Sequence, residues 1–155
     1  MSYAFQDREN LYLIMDYLDG GDLRYHIGKK GKFTEAESKF FIANLIIGLE
    51  YMHNNNVIHR DIKPENLVLD KDGYLRITDM GISREFRDEN HQDTSGTPGY
   101  MAPEVMVRKN HGFAVDYFAA GVMGYEFMLG RRPYVGKNRK EIRDQILAKQ
   151  AGIRM

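Results

Sequence analysis

The most informative stretch of the sequence is the octet His59–Asn66 (HRDIKPEN), which places a carboxylate, a cation and an amide on one short loop. Asp61 could accept the proton of an attacking hydroxyl, and Lys63 could neutralise charge on a phosphoryl group in transfer. Asn66 could offer its amide oxygen to Mg²⁺, a hard cation that prefers oxygen ligands. Because phosphoryl transfer depends on positioning and charge neutralisation, the octet indicates transfer from a nucleotide to a hydroxyl.

A second carboxylate follows the octet after a predicted β-hairpin. Two short β-prone runs, 67–69 and 74–77, flank the turn Asp70–Gly73, in which glycine suits a positive φ. The second run leads directly into Thr78-Asp79-Met80-Gly81. A carboxylate at a strand end, followed by a flexible glycine, suits a metal ligand on a mobile loop.

These motifs together resemble those of eukaryotic protein kinases. The octet is closely similar to the catalytic loop of that family. The triplet 79–81 is similar to the metal-binding Asp-Phe-Gly, with Met80 filling the apolar slot of the aromatic residue. Residues 96–104 (GTPGYMAPE) are similar to the end of the activation segment. The resemblance covers essentially the whole chain and implies a role for Asp116, since the matching acid in the family holds the catalytic-loop backbone.

Within that family the sequence favours the Ser/Thr type and the AGC-like group. Lys63 and the string Gly96-Thr97-Pro98 match the Ser/Thr pattern. Gly20–Asp22 and Asp116–Ala119 are similar to AGC-like sequences. The resemblance therefore implies a serine/threonine protein kinase that uses ATP and Mg²⁺ and acts on protein substrates.

The resemblance also implies a nucleotide site at the front of the chain. Leu11–Met15 is predicted to be a buried strand leading into an exposed hinge. Met15 would guard the back of the pocket, the backbone of Asp16 and Leu18 would face adenine, and Asp22 would lie near the ribose. The implied catalytic residues are Asp61, Lys63, Asn66 and Asp79, with Asn66 and Asp79 as metal ligands. The implied nucleotide-site residues are Met15, Asp16, Leu18, Asp22, Lys63, Glu65, Asn66 and Asp79.

The remaining segments predict an α+β fold, a mainly helical kinase-like large lobe with a short β-hairpin at the active site and little of the small lobe. Thr34–Glu37 is a capping box that opens a helix. Residues 113–129 are nearly all apolar and predict a central buried helix. Asn138 and Glu141 predict the start of a last helix toward Gln150. The first helix is predicted to bury two adjacent stripes: Phe40, Ala43, Ile47 and Tyr51, and Phe41, Leu45, Leu49 and Met52.

Composition narrows the class of protein. With 155 residues, 43% hydrophobic and 28% charged, the chain is long enough for one domain with a core. Its formal net charge of zero favours no nucleic-acid partner. Residues 113–129 contain two carboxylates, which makes a membrane span expensive, and the first residues lack a signal peptide, so an intracellular, cytoplasmic protein is expected. Four histidines without metal-ligand spacing are predicted to lie at the surface: His26, His53, His91 and His111.

The 155 residues contain no Gly-x-Gly-x-x-Gly loop and no Val-Ala-x-Lys strand. Since those parts hold the nucleotide phosphates in kinases, residues 1–155 are expected to form a partial catalytic domain, inactive alone, whose inter-lobe face is covered by a missing lobe or a partner. The alternatives are a non-catalytic, kinase-derived interaction or structural module and a small-molecule phosphotransferase. The intact Ala102-Pro103-Glu104 argues against the last.

Two further predictions concern substrate and switching. Asp22, Glu65 and Glu126 match acids that face the peptide groove in Arg-directed AGC-like kinases, which predicts a substrate with arginine upstream of its Ser or Thr. The alternative for Glu126 is a fixed ion pair with a residue such as Arg131 or Arg132. Asp93 stands where AGC-like kinases carry a phosphorylated threonine, so it could pair with Arg60 in place of the phosphate.

Overall fold

The computed structural model describes residues 2–89 and 93–149 and confirms the α+β class. His91 and the segment from Gln150 to Met155 lie outside the described residues. The sheets of the described part are two-stranded and antiparallel, pairing β1 with β2, β3 with β6 and β4 with β5. The strands are β1 Tyr3–Gln6, β2 Leu11–Ile14, β3 Val57–Ile58, β4 Leu67–Leu69, β5 Leu75–Ile77 and β6 Arg84–Glu85. The helices are α1 Leu23–Lys30, α2 Glu35–Asn54, α3 Pro103–Met106, α4 Ala114–Leu129 and α5 Arg139–Lys149, with a short 3-10 helix at Pro64–Asn66.

The core forms where α2 packs against α4. Leu45 and Leu49 of α2 and Met123 and Phe127 of α4 have no exposed surface. Burying a side chain of this size contributes roughly 1.5–3 kcal/mol relative to leaving it in water. The predicted central helix is therefore confirmed, since α4 supplies the middle of the core.

Both predicted helix starts are confirmed by their caps. The Thr34 side chain accepts a hydrogen bond from the Glu37 amide, and the Glu37 carboxylate accepts one from the Thr34 amide. At α5 the Asn138 side chain accepts from the amide of Glu141 over 3.0 Å. Each cap satisfies a backbone donor that a helix start would otherwise leave unpaired.

One stripe of α2 contradicts the sequence prediction. Leu45, Leu49 and Met52 are buried as expected, but Phe40, Ile47 and Tyr51 are exposed by 43%, 67% and 74%. A helix surrounded by protein can bury all its faces, whereas α2 has neighbours among the described residues on one side, toward α4 and β5. The apolar pattern alone was wider than the face that the fold covers.

The strand β2 forms as predicted, but the prediction that it is buried is wrong. Its four residues pair with β1 in register Tyr3 with Ile14 to Gln6 with Leu11. All eight residues of the two strands are exposed, because no other described element covers either face of the hairpin. The exposed side chains include Tyr3, Phe5, Leu11, Leu13 and Ile14.

The predicted hairpin at 67–77 is confirmed and positions the octet beside the linker. β4 and β5 pair in register Leu67 with Ile77, and the 3-10 helix of the octet leads directly into β4. The linker before α1 bonds to β4, since Gly20 N donates to Leu69 O over 3.1 Å and Leu69 N to Gly21 O over 2.9 Å. Among the described residues, no helix is long and apolar enough to cross a membrane.

Candidate active site

Asp116 of α4 holds the backbone of the loop that carries the octet. Its two carboxylate oxygens accept hydrogen bonds from the backbone amides of His59, over 2.9 Å, and Arg60, over 2.8 Å. Asp116 is 1% exposed, so these are charge-assisted bonds in a dry setting. The contact expected from the resemblance is therefore present, and a residue of the core helix sets the backbone that precedes Asp61.

The His59 side chain ties the octet to the strand that delivers Asp79. Its Nε2 lies 3.0 Å from the carbonyl oxygen of Thr78, and its Nδ1 lies 3.2 Å from the amide of Asp61. A carbonyl can only accept and an amide N–H can only donate, so His59 is neutral with its proton on Nε2. The fully buried His59 ring thus links the backbone before Asp79 to the backbone of Asp61.

Asp61 lies at the centre of a polar cluster. Lys63 Nζ donates to Asp61 Oδ2 over 2.6 Å, and the Thr97 hydroxyl donates to Asp61 Oδ1 over 2.7 Å. Lys63 also donates to the Thr97 hydroxyl over 3.0 Å. Burial works to raise the pKa of Asp61, but the bonds from Lys63 and Thr97 outweigh it and hold the pKa below its usual range. Asp61 is therefore ionised at neutral pH and suited to hold a hydroxyl by its proton.

Thr97 is a site residue that sequence reasoning missed. The sequence marked the string Gly96-Thr97-Pro98 only as a signature of type, and gave no contact for its hydroxyl. Gly96 allows the approach, because its φ of 126° suits glycine and an added Cβ would lie 2.8 Å from the carbonyl oxygen of Arg60. The segment 96–98 therefore packs closely enough on the octet for Thr97 to reach Asp61.

The two predicted metal ligands are brought to neighbouring positions by backbone bonds. Thr78 donates to the Asn66 carbonyl oxygen through its amide, over 2.9 Å, and through its hydroxyl, over 3.1 Å. Asp79 follows Thr78 directly. The Asn66 Nδ2 donates to the backbone oxygen of Asp61 over 2.9 Å and to its carboxylate over 3.2 Å, so the amide oxygen is the atom left for a cation. An amide oxygen and a carboxylate fit Mg²⁺, which completes its shell with water and phosphate oxygens.

The backbone is strained at two of the site residues. Arg60 has a φ of 70° and Asp79 a φ of 61°. Non-glycine residues rarely adopt this left-handed region, and such strain concentrates at functional sites, where the surroundings hold it in place. At Arg60 the restraint is visible, because its amide bonds to Asp116 and its Nε donates to Ile82 O over 2.7 Å.

Arg60 also reaches the segment that follows the second carboxylate. Its guanidinium pairs with the Asp93 carboxylate, which also forms an ion pair with Arg84 Nε at 3.1 Å and accepts a hydrogen bond from the Ser95 hydroxyl over 3.0 Å. The predicted contact between Arg60 and Asp93 is confirmed. Burial works to raise the pKa of Asp93, but the bond to Arg60 and that from Ser95 lower it overall.

Comparison with known proteins decides the family. The protein kinase domain family matches residues 1–155. The chain belongs to the protein kinase family. Relatives include ribosomal protein S6 kinase 2 beta of Xenopus laevis, 43% identical over 99% of this chain and 25% of the relative, and ribosomal protein S6 kinase alpha-1 of Homo sapiens, 43% identical over 99% of this chain and 21% of the relative.

A probable serine/threonine-protein kinase of Dictyostelium discoideum is 40% identical over 97% of this chain and 34% of its own length. The chain thus spans a quarter of the first of these relatives and a third of the last. Ribosomal protein S6 kinases belong to the AGC group, so the predicted family, Ser/Thr type and group are confirmed.

The predicted hinge residues differ in their exposure and contacts. Met15 is 65% exposed, so the prediction that it ends a buried strand is wrong. Asp16 is exposed and Leu18 half-buried. Asp22 caps α1, since its carboxylate accepts from the Tyr25 amide over 2.8 Å, and its backbone bridges to Val68 of β4. Their predicted contacts with a nucleotide stay predictions.

Two of the three predicted substrate acids, Glu65 and Glu126, are already paired. Arg24 of α1 donates through Nε to Glu65 over 2.8 Å and through Nη1 to Glu126 over 2.8 Å. The alternative of a fixed ion pair for Glu126 is therefore right, but its partner is Arg24 and not Arg131 or Arg132. The sequence gave no sign of this pair, because its members are 102 residues apart.

Two of the histidines are not surface residues, which corrects that prediction. His53 Nε2 lies 2.9 Å from Asp116 Oδ2, and the His53 side chain is 8% exposed. His111 is 7% exposed. His53 lies in the last turn of α2, and its ring adds another polar partner to the carboxylate that holds the octet.

Proposed function

We propose that the chain is the hinge and large-lobe part of a serine/threonine protein kinase domain, which transfers the γ-phosphoryl group of ATP to a Ser or Thr hydroxyl of a protein. The observation that carries the proposal is the bond from the Thr97 hydroxyl to Asp61 over 2.7 Å. This bond supports the proposal because in it an alcohol donates to the same carboxylate to which a substrate hydroxyl would donate before attack. Carboxylate oxygens have capacity for more than one donor, so Thr97 and a substrate can share Asp61.

The other residues of the cluster have roles that follow from their charge. Lys63, held 2.6 Å from Asp61, lies beside the carboxylate proposed to hold the attacking hydroxyl and can balance charge on the transferring phosphoryl group. Asn66 and Asp79 supply the oxygen ligands for the Mg²⁺ that accompanies ATP, and Mg²⁺ neutralises the phosphate charge when it is bound. Met15, Asp16, Leu18 and Asp22 are proposed to face the adenosine part of ATP, since the linker they belong to is bonded to β4.

The exposed β1–β2 hairpin supports the proposal that further structure covers this face. Large apolar side chains exposed together mark interaction surfaces, and Tyr3, Phe5 and Leu13 are 70%, 54% and 49% exposed. Either another segment of the natural protein or a partner is proposed to cover it. The cytoplasmic location expected from the sequence remains a prediction.

The proposal is tested with the complete natural protein that contains these residues. Incubated with Mg²⁺ and ATP labelled at the γ-phosphate, it should phosphorylate a mixture of basic and neutral Ser/Thr peptides. Acid hydrolysis of the products should yield phosphoserine or phosphothreonine. Labelled phosphotyrosine alone would contradict the proposed acceptor class, and absence of any transfer would favour the non-catalytic interaction module.

A polypeptide of these 155 residues alone should transfer phosphate at a rate barely above background. It has neither the glycine-rich loop nor the strand lysine that hold the phosphates in protein kinases. Comparing its rate with that of the complete natural protein, at equal concentration and saturating Mg²⁺-ATP, checks this. Robust turnover by homogeneous protein of this length would mean that Asp61, Lys63 and Asp79 suffice without those parts.

Replacing Asp93 with alanine should lower the activity of the complete natural protein by roughly tenfold, since one charged contact in a partly buried setting is lost. The phosphatase-treated protein is assayed, so that no added phosphate substitutes for the carboxylate. Because the pKa of Asp93 is lowered by folding, its contribution is complete above the ordinary value of 3.8 and is lost as the pH falls through the folded value.

Asp88→Ala is the matched control for Asp93, because Asp88 is exposed in the same segment. It should leave the rate unchanged. Full activity of the Asp93 variant after phosphatase treatment would show that the contact with Arg60 does not support the active arrangement.

A further inference from the structure

Arg24 occupies the space between two acids of the candidate peptide-binding side. Glu126 is enclosed, with its side chain 6% exposed, and both of its oxygens are used. Oε1 accepts from Arg24 Nη1 over 2.8 Å, and Oε2 accepts from the Tyr100 hydroxyl over 2.5 Å and from Arg24 Nη2 over 3.3 Å. The Arg24 guanidinium bonds to both oxygens of Glu126, and the Tyr100 hydroxyl donates to the same carboxylate. Glu126 therefore has hydrogen-bond partners without any contact to a bound peptide.

The same arginine, Arg24, also contacts Glu65 of the octet. Arg24 Nε donates to Glu65 Oε1 over 2.8 Å, and Glu65 is 43% exposed. Arg24 Nη2 also bonds to the Tyr100 hydroxyl. Burial works to lower the pKa of Arg24, but the bonds to Glu126 and Glu65 raise it above its ordinary value, and burial together with the bond to Glu126 raises the pKa of Tyr100. Arg24 is therefore a permanent cation and Tyr100 a neutral donor.

The charges of the cluster are nearly balanced. Two carboxylates face one guanidinium, and the Arg132 guanidinium lies over the Tyr100 ring at 5.6 Å from its centroid. Gly99, next to Tyr100, leaves the room that Arg132 occupies, because any Cβ there would collide with it. A cation arriving from solvent could still contact the exposed part of Glu65.

We propose that Arg24 determines substrate specificity by acting as a built-in substitute for a substrate arginine, so that peptides are accepted with little dependence on basic residues upstream of the phosphoacceptor. The inference rests on the proposed function, because it concerns the peptide side of that site. It replaces the expected arginine preference. A substrate arginine gains a half-exposed contact with Glu65, and such a contact is worth less than about fivefold in affinity.

The test measures peptide binding directly. Two fluorescein-labelled peptides differ only in carrying Arg or Ala at the positions two and three residues before a single serine. Their dissociation constants for the complete natural protein are measured by fluorescence anisotropy with Mg²⁺ and a non-hydrolysable ATP analogue. The ratio of the Ala to the Arg dissociation constant should lie below about five in the parent protein.

Variants at Arg24 should change that ratio. Arg24→Gln removes the substitute cation and leaves Glu126 for the peptide, so the ratio should rise above about ten. Arg24→Lys keeps a positive charge but lacks the planar guanidinium that bonds to Glu65 and Glu126 at once. It should therefore raise the ratio by a smaller factor. If the glutamine variant does not fold, the lysine variant tests the proposal in its place. Arg131→Gln, which removes an exposed positive charge nearby, is the matched control and should leave the ratio unchanged.

Three results would overturn the proposal. These are a ratio above ten in the parent protein, a ratio that neither variant at Arg24 raises, and no measurable binding of either peptide to any variant. Phosphoryl transfer is measured separately with the same peptides. A protein that shows the expected binding ratios but transfers no phosphate would retain the role of Arg24 and lose the proposed catalytic function.

Discussion

Asp61→Asn should lower the phosphoryl-transfer rate of the complete natural protein by about a thousandfold or more. The carboxamide can keep the bond from Thr97 over the same short distance, but it has no negative charge to attract the proton of the substrate hydroxyl or to pair with Lys63. The loss should fall on kcat, because the acceptor contact matters most while the bond is forming.

Single-turnover kinetics at saturating Mg²⁺-ATP and peptide measure this loss. Asp144→Asn is the control, since Asp144 is an exposed acid of α5 that contacts the neighbouring Arg143, and it should keep the parent rate. An Asp61 variant with parent activity and an unchanged melting temperature would remove Asp61 from the reaction.

Asp116→Ala should destabilise the octet more than any surface substitution. The amides of His59 and Arg60 lose their acceptor, and each buried donor left unsatisfied costs about 1–3 kcal/mol. His53 also loses its partner at 2.9 Å. Asp116→Asn, which retains one acceptor oxygen, should cost less than the alanine variant.

Hydrogen–deuterium exchange of the complete natural protein detects this effect locally. The amides of His59 and Arg60 should exchange faster by tenfold or more in Asp116→Ala, since each 1.4 kcal/mol of lost protection is about a factor of ten. Protection that is the same in the alanine variant and in the parent would show that the loop is held by other contacts.

Local sequence patterns predicted the elements that are held by near neighbours. The capping box at Thr34 needs only Glu37, and the hairpin that precedes Asp79 needs only its own turn and two runs. Both patterns have a physical cause within a few residues, a backbone donor to satisfy or a φ that glycine permits. The octet was recognisable for the same reason, because its catalytic groups are contiguous.

The contacts that complete the site join distant residues, and no local pattern encodes them. Thr97 is 36 residues from Asp61, and Arg24 is 102 residues from Glu126. The predictions of which residues are buried failed for a related reason. The apolar residues of β2 and of one stripe of α2 satisfy the pattern of buried elements, but burial depends on what lies opposite, which is a property of the whole fold.

Asn66 and Asp79 are proposed to hold the Mg²⁺ of the nucleotide beside Asp61. The most direct measurement is the affinity of the complete natural protein for a fluorescent ATP analogue, with and without Mg²⁺, in the parent and in Asp79→Asn. Mg²⁺ should tighten binding to the parent by at least about tenfold, and this gain should be lost in the variant, since one of the two proposed protein ligands has lost its charge. Asp72→Asn, in the exposed turn of the same hairpin, should keep the gain. An equal gain from Mg²⁺ in the parent and in Asp79→Asn would show that Asp79 does not hold the metal ion.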